Sequence, residues 1–419
     1  MSDDRRVPRV PEMPPTTVRR ILLADCDAMF VAVARIVDPD GAGKAPYLIV
    51  GGRPEGRGVV SSASYEVRAF GIRNGMPTAR ALRLCPEATV VPVPRDAVVA
   101  MNRRIRAILS EYAVVLDPAS IDEFYLDVTG TEGVFGEDLG ALAHRIRARV
   151  LEETGISLSI GGATNRLVAK LAASRAKPGG VRIVPPGEEA AFLRGFDLPE
   201  LPGIGPRTAE RLARFGLRTV ADALRYPADA LASWFGERGG RRLYDRIRGI
   251  DPTPVLPPGP PKSHSREETF PADIHDDEAL DRELLALVVR VAIDLADDGR
   301  LARTVTVKVR DPDFRTRLAS HTPRVPMTSE RQIFAEARAL LRRLRKQRRE
   351  GVRLLGVALS NLVEPAEWGD GAQLGLFDPP GEAAAAVRER RLVRALDTLR
   401  KRFGPDTVQP AALLDRDSS

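Results

Sequence analysis

The sequence has few residues that could cross-link it or bind a soft metal. It contains two cysteines, Cys26 and Cys85, and four histidines. That number of thiols cannot form a disulfide framework, and a zinc site is not expected from so few ligands. No apolar run reaches the roughly 18 residues of a membrane span. The Pro-rich start, 1–17, also lacks the apolar core of a signal peptide. These absences predict a protein of the reducing cytoplasm with no membrane partner.

The rest of the composition is that of a large and basic globular protein. Hydrophobic residues make up 43% and charged residues 29% of the 419 positions. A chain of this length predicts two to four domains at roughly 100–200 residues each. The formal net charge is +7. Such a balance favours a polyanionic partner such as nucleic acid, although it does not require one.

Strands and helices alternate irregularly through the first half of the sequence. This alternation predicts an α+β region built on a mixed sheet. The predicted strands are 20–24, 47–50, 59–64, 120–128, 156–163 and 181–184. The predicted helices are 28–36, 65–70, 102–112, 139–153 and 165–176.

The second half changes character twice. Short helices dominate from about Phe196 to Gly249, which predicts a small all-helical module. Prolines then crowd the segment 251–261, and such a composition predicts a stiff, extended linker. From 262 to 363 the order strand, helix, strand, strand, helix, strand predicts a four-stranded sheet with two helices on one face.

Acidic residues occur at two places beside apolar strands. Asp25 and Asp27 follow the first strand, and Asp122 and Glu123 lie in an otherwise apolar stretch. Acids are costly to bury unpaired, so a cation is expected nearby. Two-metal phosphoryl transfer uses such carboxylates to hold Mg²⁺. The residues alone leave open whether these acids instead pair with arginines or face solvent. Adjacent strand residues point to opposite faces, so a bulge or turn must interrupt the strand if Asp122 and Glu123 serve one site.

Groups that suit a triphosphate also occur at two places. Tyr65 and Arg68 are one helical turn apart and can face the same phosphate. Lys170 and Lys177 flank a short helical run that ends in a sharp turn. Ammonium and guanidinium groups match phosphate oxygens in charge and donor geometry. Each of them taken alone could equally be a solvated surface cation.

Two further motifs indicate partners. In Pro202-Gly-Ile-Gly205 the glycines permit tight turning before a helix start, which is typical of a helix-hairpin-helix that grips DNA backbone. An ordinary turn is the alternative. Gln373-Leu-Gly-Leu-Phe377 is an apolar patch in a Gly/Pro-rich segment, which indicates a docking peptide unless it packs on its own domain. The basic run 342–349 either lies along DNA or is a solvated helix face.

Taken together, the motifs resemble those of the Y-family, or lesion-bypass, DNA polymerases, most closely the DNA polymerase IV branch. The resemblance extends from about Ile21 to Phe377. Five motifs appear in the order found in that family. They are Asp25-Cys-Asp-Ala-Met-Phe30, Ser62-Ala-Ser-Tyr-Glu-Val-Arg68, Ser120-Ile-Asp-Glu123, Ala176-Lys-Pro178 and Leu201-Pro-Gly-Ile-Gly205. The sequence departs from the family at Ala28-Met29 and at Ala34.

The resemblance implies an α+β multidomain protein shaped as a right hand. The parts that it implies are a flexible N-terminal arm (1–17), a catalytic palm (18–28 and 92–184), fingers (29–91), a helical thumb with the helix-hairpin-helix (185–250), a linker (251–261), a DNA-binding βαββαβ little finger (262–364) and a C-terminal tail (365–419).

The resemblance also implies roles for individual residues. Asp25, Asp122 and Glu123 would be the catalytic metal ligands, together with the backbone carbonyl of Cys26. Phe30 would be the steric gate that excludes the ribose 2′-OH. The remaining roles are triphosphate contacts for Tyr65, Arg68 and Lys177, DNA contacts for Gly203 and Gly205, and sliding-clamp contacts for Gln373, Leu374, Leu376 and Phe377.

The activity that follows is template-directed DNA synthesis past lesions, with low processivity. Two Mg²⁺ ions would serve as cofactors, and primer-template DNA, dNTPs and the sliding clamp as partners. A monomer associated with the nucleoid is expected. One alternative is a catalytically inactive relative that bridges DNA and the clamp, but such a protein would be expected to lose the three acids. A helix-hairpin-helix DNA-binding or nuclease protein with an unrelated N-terminal domain is the other alternative.

Overall fold

The computed structural model describes most of the chain. The described residues are 18–365, 392–393, 395–396, 398–404 and 407–413. Two compact units divide the chain, one ending at Gly259 and the other beginning at Pro260. That boundary falls inside the predicted Pro-rich linker. No helix among the described residues is long and apolar enough to cross a membrane.

The first unit alternates strands and helices and then becomes all-helical. Its strands are β1 (Ile21–Cys26), β2 (Leu48–Gly51), β3 (Val60–Ala63), β4 (Thr89–Val91), β5 (Val115–Pro118), β6 (Glu123–Asp127), β7 (Leu158–Ala163) and β8 (Val181–Ile183). Its helices are α1 (Met29–Val37), α2 (Tyr65–Arg68), α3 (Thr78–Leu84), α4 (Arg95–Ser110), α5 (Glu132–Phe135), α6 (Leu139–Thr154), α7 (Arg166–Ala176), α8 (Glu189–Leu193), α9 (Pro206–Arg214), α10 (Val220–Ala223), α11 (Ala228–Phe235) and α12 (Glu237–Arg246).

A five-stranded sheet carries the candidate site. Its strand order is β5-β6-β1-β7-β8, and only β7 and β8 are parallel, so the sheet is mixed as predicted. Every residue of β1 and β7 is buried, which is why both read as near-continuous apolar runs. A separate three-stranded sheet, in the order β3-β2-β4, accompanies α2 and α3.

Several predicted boundaries were wrong, and five elements were missed. Strand β6 begins only at Glu123, because residues 120–122 form a bend. Helix α4 begins at Arg95 rather than at 102, directly after Pro94. Val98 and Met101 continue the apolar spacing of Ile105 and Ile108 towards Pro94, so the sequence pattern contains the earlier start and the predicted start was too late. The missed elements are α3, β4, β5, α5 and α8.

The second unit has the predicted βαββαβ order. Its elements are β9 (Ser263–Ile274), α13 (Asp277–Asp298), β10 (Leu301–Arg310), β11 (Thr316–His321), α14 (Glu330–Gln347) and β12 (Val352–Val363). The four antiparallel strands are ordered β11-β10-β12-β9. Both helices contribute apolar side chains to one core with the sheet. Asp276 caps α13, and Ser329 and Gln332 form a capping box at α14, so the sequence sets both helix starts.

Candidate active site

The end of β1 places the first acids. Asp25 is 6% exposed, and it lies opposite Glu123 in the antiparallel register of β1 and β6. The chain leaves the strand through Ala28, whose φ of 44° is in the left-handed region that favours glycine. This turn ends the strand and begins α1 at Met29. Asp25, Cys26 and Asp27 therefore lie at a fixed corner between a strand and a helix.

A bend before β6 allows Asp122 and Glu123 to act from adjacent positions. The Ser120 hydroxyl donates to Asp122 Oδ1 at 2.5 Å and accepts from the backbone N–H groups of Asp122 and Glu123 at 3.2 and 3.1 Å. The carbonyl of Asp122 accepts from the N–H of Cys26 at 2.9 Å. The interruption that a shared site requires is therefore present, and it holds Asp122 beside the end of β1.

Two lysines of the α7 region neutralise the acids. Lys177 Nζ lies 2.7 Å from Asp25 Oδ2. Lys170 Nζ lies 2.6 Å from each carboxylate oxygen of Glu123. Burial raises the pKa of Asp25 to about 6, Lys177 opposes this rise, and the charges of Glu123 and Asp122 add to it. The three carboxylates are thus close enough to repel one another.

Tyr65 and Arg68 of α2 reach the same corner. The Tyr65 hydroxyl donates to Asp27 Oδ1 at 3.1 Å. The Arg68 guanidinium lies over the Tyr65 ring, 4.7 Å from its centroid, and its Nε donates to the carbonyl of Ala63 at 2.9 Å. Burial and the Asp27 charge raise the pKa of Tyr65, so its phenol stays protonated and remains a donor.

The other predicted residues lie elsewhere. Phe30 of α1 is partly buried between the core of the five-stranded sheet and a small cluster around β2. Gly203 has a φ of 86°, which favours glycine, and Gly205 is the N-cap of α9 in the helical module. The segment from Gln373 to Phe377 is outside the described residues.

The donor set fits a hard divalent cation. Asp25, Asp122 and Glu123 supply carboxylate oxygens, which Mg²⁺ prefers over nitrogen and sulfur ligands. The pKa of Asp25 is raised chiefly by burial, and the charges of Glu123 and Asp122 add to the rise while Lys177 opposes it. Among the described residues, no group of three or more acids, histidines or cysteines already has the spacing of a metal cage. In the described conformation the ammonium groups are therefore the counter-ions.

Sequence reasoning missed two features of this corner. The sequence pattern favours Lys170 as a phosphate-binding or surface cation, whereas it forms an ion pair with Glu123. Asp27 had no defined role, and it proves to be a hydrogen-bond acceptor for Tyr65 and three further groups. No local pattern encodes either contact, because the partners are far apart in the sequence. For Asp27, the only signal in the sequence is that this acid follows the first predicted strand while Ser157 and Ser159 lie in the predicted strand 156–163.

Comparison with known proteins assigns the family. The impB/mucB/samB family model matches residues 24–174, and the model of that family's C-terminal domain matches residues 261–376. A model described as the DNA polymerase-iota thumb domain matches residues 199–251. The chain belongs to the impB/mucB/samB family of Y-family DNA polymerases.

Relatives of similar length support this assignment. DNA polymerase IV of Dehalococcoides mccartyi strain CBDB1 is 38% identical over 393 residues, covering 94% of this chain and 97% of the relative. DNA polymerase IV of Halorhodospira halophila is 41% identical over 346 residues, covering 83% and 96%. The predicted kinship with the polymerase IV branch is therefore confirmed.

Solved structures show the same fold. A Y-family DNA polymerase chimera of Dbh and Dpo4 matches with a TM-score of 0.74 at 28% identity, covering 82% of this chain and 99% of its own. The insertion ternary complex of Dbh DNA polymerase matches with a TM-score of 0.57 at 29% identity and the same coverage. The predicted right-hand polymerase architecture is confirmed at the level of the fold, and Y-family members share a metal-dependent chemistry on DNA.

Proposed function

We propose that this chain is a DNA-directed DNA polymerase that extends a primer past template lesions, using Asp25, Asp122 and Glu123 to hold two Mg²⁺ ions. The observation that carries the proposal is the corner between β1, β6 and α7. There, three acids from two segments lie together with Lys170 and Lys177 in a chain of this family. No observation favours the inactive alternative.

The acids and the Cys26 carbonyl have one task in this proposal. They would hold the two ions, which supply activation of the primer 3′-OH and charge neutralisation at the phosphates. The structure supports Asp25 as the most constrained ligand, since it is buried and fixed in the central strand. Asp122 is more exposed and is oriented by Ser120, so it can adjust to an ion without breaking the sheet.

The cationic and aromatic residues would bind the incoming nucleotide. Tyr65, Arg68 and Lys177 would contact the triphosphate, because their donor groups lie around the same corner as the acids. Phe30 follows on the first turn of α1, and its ring would limit the space available beside the sugar. These roles give a pocket that selects dNTPs by charge at one end and by shape at the other.

DNA and clamp contacts complete the proposal. The turn at Gly203 and Gly205 would hold the duplex backbone, and the βαββαβ unit at 262–364 would act as the DNA-binding little finger. The segment Gln373–Phe377 would dock into the sliding clamp. We also expect the enzyme to have low processivity, to be a monomer and to be associated with the nucleoid.

A primer-extension assay with Mg²⁺ tests the activity. Wild-type protein is expected to extend a primer on an intact template and on one carrying an abasic site. Asp122→Asn should reduce the extension rate by about 100-fold or more while primer-template affinity, measured by fluorescence anisotropy, is retained. Asp229→Asn is the matched control, since its side chain is 90% exposed on another part of the unit.

The outcomes separate the possible errors. If the pure wild-type protein does not extend a primer, the enzyme assignment is wrong. If Asp122→Asn loses DNA affinity together with extension, Asp122 has a structural role. If Asp122→Asn extends as fast as Asp229→Asn, the metal-ligand assignment is wrong although the enzyme assignment stands.

A further inference from the structure

Asp27 is the most heavily hydrogen-bonded acid at the corner. Its side chain accepts from the hydroxyls of Tyr65, Ser157 and Ser159 at 3.1, 2.8 and 2.7 Å, and from the backbone N–H of Gly179 at 2.9 Å. It is 7% exposed. A buried carboxylate with four donors is fixed in place, and all four of these donors are neutral groups.

The distribution of these bonds leaves no acceptor free. Oδ1 takes the Tyr65 and Ser159 hydroxyls, and Oδ2 takes Ser157 and Gly179. A carboxylate has about four lone-pair sites, two on each oxygen. Asp27 therefore has no site left for a metal ion in this arrangement, although only Cys26 separates it from Asp25.

The donors come from three segments that carry nucleotide-binding groups or support them. Tyr65 begins α2, whereas Ser157 and Ser159 lie at the start of β7. Gly179 lies two positions after Lys177, in the turn that follows α7. The Asp27 side chain thus joins the Tyr65 hydroxyl and the turn after Lys177 to the start of strand β7 in the five-stranded sheet.

We propose that Asp27 is a positioning residue that organises the triphosphate-binding groups Tyr65 and Lys177 and does not bind metal. The inference rests on the proposed function for the identity of the ligand. Tyr65 has one O–H, and in this structure that donor is engaged by Asp27. Phosphate oxygens only accept, so Asp27 fixes the Tyr65 ring and hydroxyl at the position from which the O–H would be shared with a phosphate oxygen when a nucleotide binds.

Two substitutions at Asp27 distinguish positioning from metal binding. Asp27→Ala removes all four bonds, so we expect the KM for dNTP to rise by about tenfold or more, the loss of one or two hydrogen bonds to the triphosphate. The kcat and the Mg²⁺ concentration for half-maximal rate should change less than threefold. Asp27→Asn should recover most of the KM, because the amide oxygen can serve Gly179 and Ser157 while the amide N–H groups donate to the hydroxyl oxygens of Tyr65 and Ser159.

A metal ligand would behave differently. In that case Asp27→Asn would be as damaging as Asp27→Ala, kcat would fall and the Mg²⁺ requirement would rise, as expected for Asp122→Asn. That pattern overturns the inference. Unchanged KM in Asp27→Ala would also overturn it. If wild-type protein shows no extension, the proposed function fails, and the inference is then tested by calorimetric titration of dATP with Mg²⁺, in which Asp27→Ala must bind more weakly than Asp27→Asn.

A second measurement guards against misfolding of Asp27→Ala. Tyr65→Phe removes only the donor from the pair, and it should raise the KM while preserving the three other bonds. In the Tyr65→Phe background, Asp27→Ala should raise KM by a smaller factor than it does in the wild type, since the part of its effect that acts through the Tyr65 hydroxyl is already lost. A multiplicative effect of the two substitutions would mean that Asp27 does not act through Tyr65.

Discussion

Helix α7 carries Lys170 and ends at its C-cap Lys177, and its backbone packs directly on Gly161 of β7. A Cβ on Gly161 of β7 would lie 2.1 Å from the carbonyl oxygen of Ala169 and 2.1 Å from the N of Ala173. Both are backbone atoms of the helix, so no rotamer change can make room. Since carbon contacts are comfortable only at about 3.5 Å or more, the helix would have to retreat by more than about 1 Å.

We therefore expect Gly161→Ala to uncouple the lysines from the acids. Overpacking of this kind costs about 1–3 kcal/mol of stability. The retreat would also lengthen the Lys170–Glu123 contact, now 2.6 Å, and the Lys177–Asp25 contact, now 2.7 Å. A misplacement of about 1 Å at a reacting centre can lower the rate about 100-fold. The measurement is single-nucleotide primer extension together with urea unfolding.

The neighbouring glycine provides the control. Gly162 faces the opposite side of the sheet, because strand residues alternate. A Cβ there would meet the ends of side chains, Ile183 Cδ1 at 2.5 Å and Leu22 Cδ2 at 3.0 Å, which can rotate away. Gly162→Ala should lose stability but keep its extension rate within about threefold of wild type. If Gly161→Ala keeps both wild-type stability and rate, the account of α7 packing is wrong.

Three further predictions test other parts of the molecule. Phe30→Ala should admit ribonucleotides, measured as a fall in the ratio of dNTP to NTP incorporation; equal use of both by the wild type would refute the gate. Asp311→Ala should lower the free energy of unfolding of the second unit by about 3–5 kcal/mol, because it removes a fully buried carboxylate bound by two arginines. Asp313→Ala, at the exposed end of the same network, should lower it by under about 1 kcal/mol. Cys26 and Cys85 should not react with a thiol reagent at pH 8 until the protein unfolds, since both are buried and burial raises the pKa of the Cys26 thiol; labelling of the native protein would contradict this.

Elements with strong local signals were predictable from the sequence. The βαββαβ unit follows from apolar periodicity and from caps such as Asp276 and Ser329, which act within one turn of their own helices. Strands β1 and β7 were found because central strands read as apolar runs. Short or half-buried elements such as α5 were missed, since four residues with no buried side chain leave no periodic trace.

The candidate site was predictable only in its parts. The chemistry of Asp25, Asp122 and Glu123 was visible in the sequence, as was the requirement for a break before Glu123. The Lys170–Glu123 pair was not, because its partners are 47 residues apart and nothing local couples them. The same applies to Asp27, whose donors Ser159 and Gly179 lie 132 and 152 residues away. Contacts of that range depend on strand order, which periodicity does not encode.

The ion pairs Lys170–Glu123 and Lys177–Asp25 balance much of the negative charge of the acids at this corner. Two ammonium groups lie beside three carboxylates at the proposed metal site, and burial, more than the charges of Glu123 and Asp122, raises the pKa of Asp25. Under the proposed function, Asp25, Asp122 and Glu123 would hold the divalent ions, which would supply the positive charge that Lys170 and Lys177 supply here. Lys177 has a compact ammonium on a flexible stem, so it would be able to turn from Asp25 to a triphosphate. Asp27 stays in place, because four hydrogen-bond donors hold its carboxylate. Under the proposed function, Asp25 would exchange its lysine for a metal ion, whereas Asp27 would keep its hydrogen bonds. That difference is why adjacent acids of one motif can have different roles.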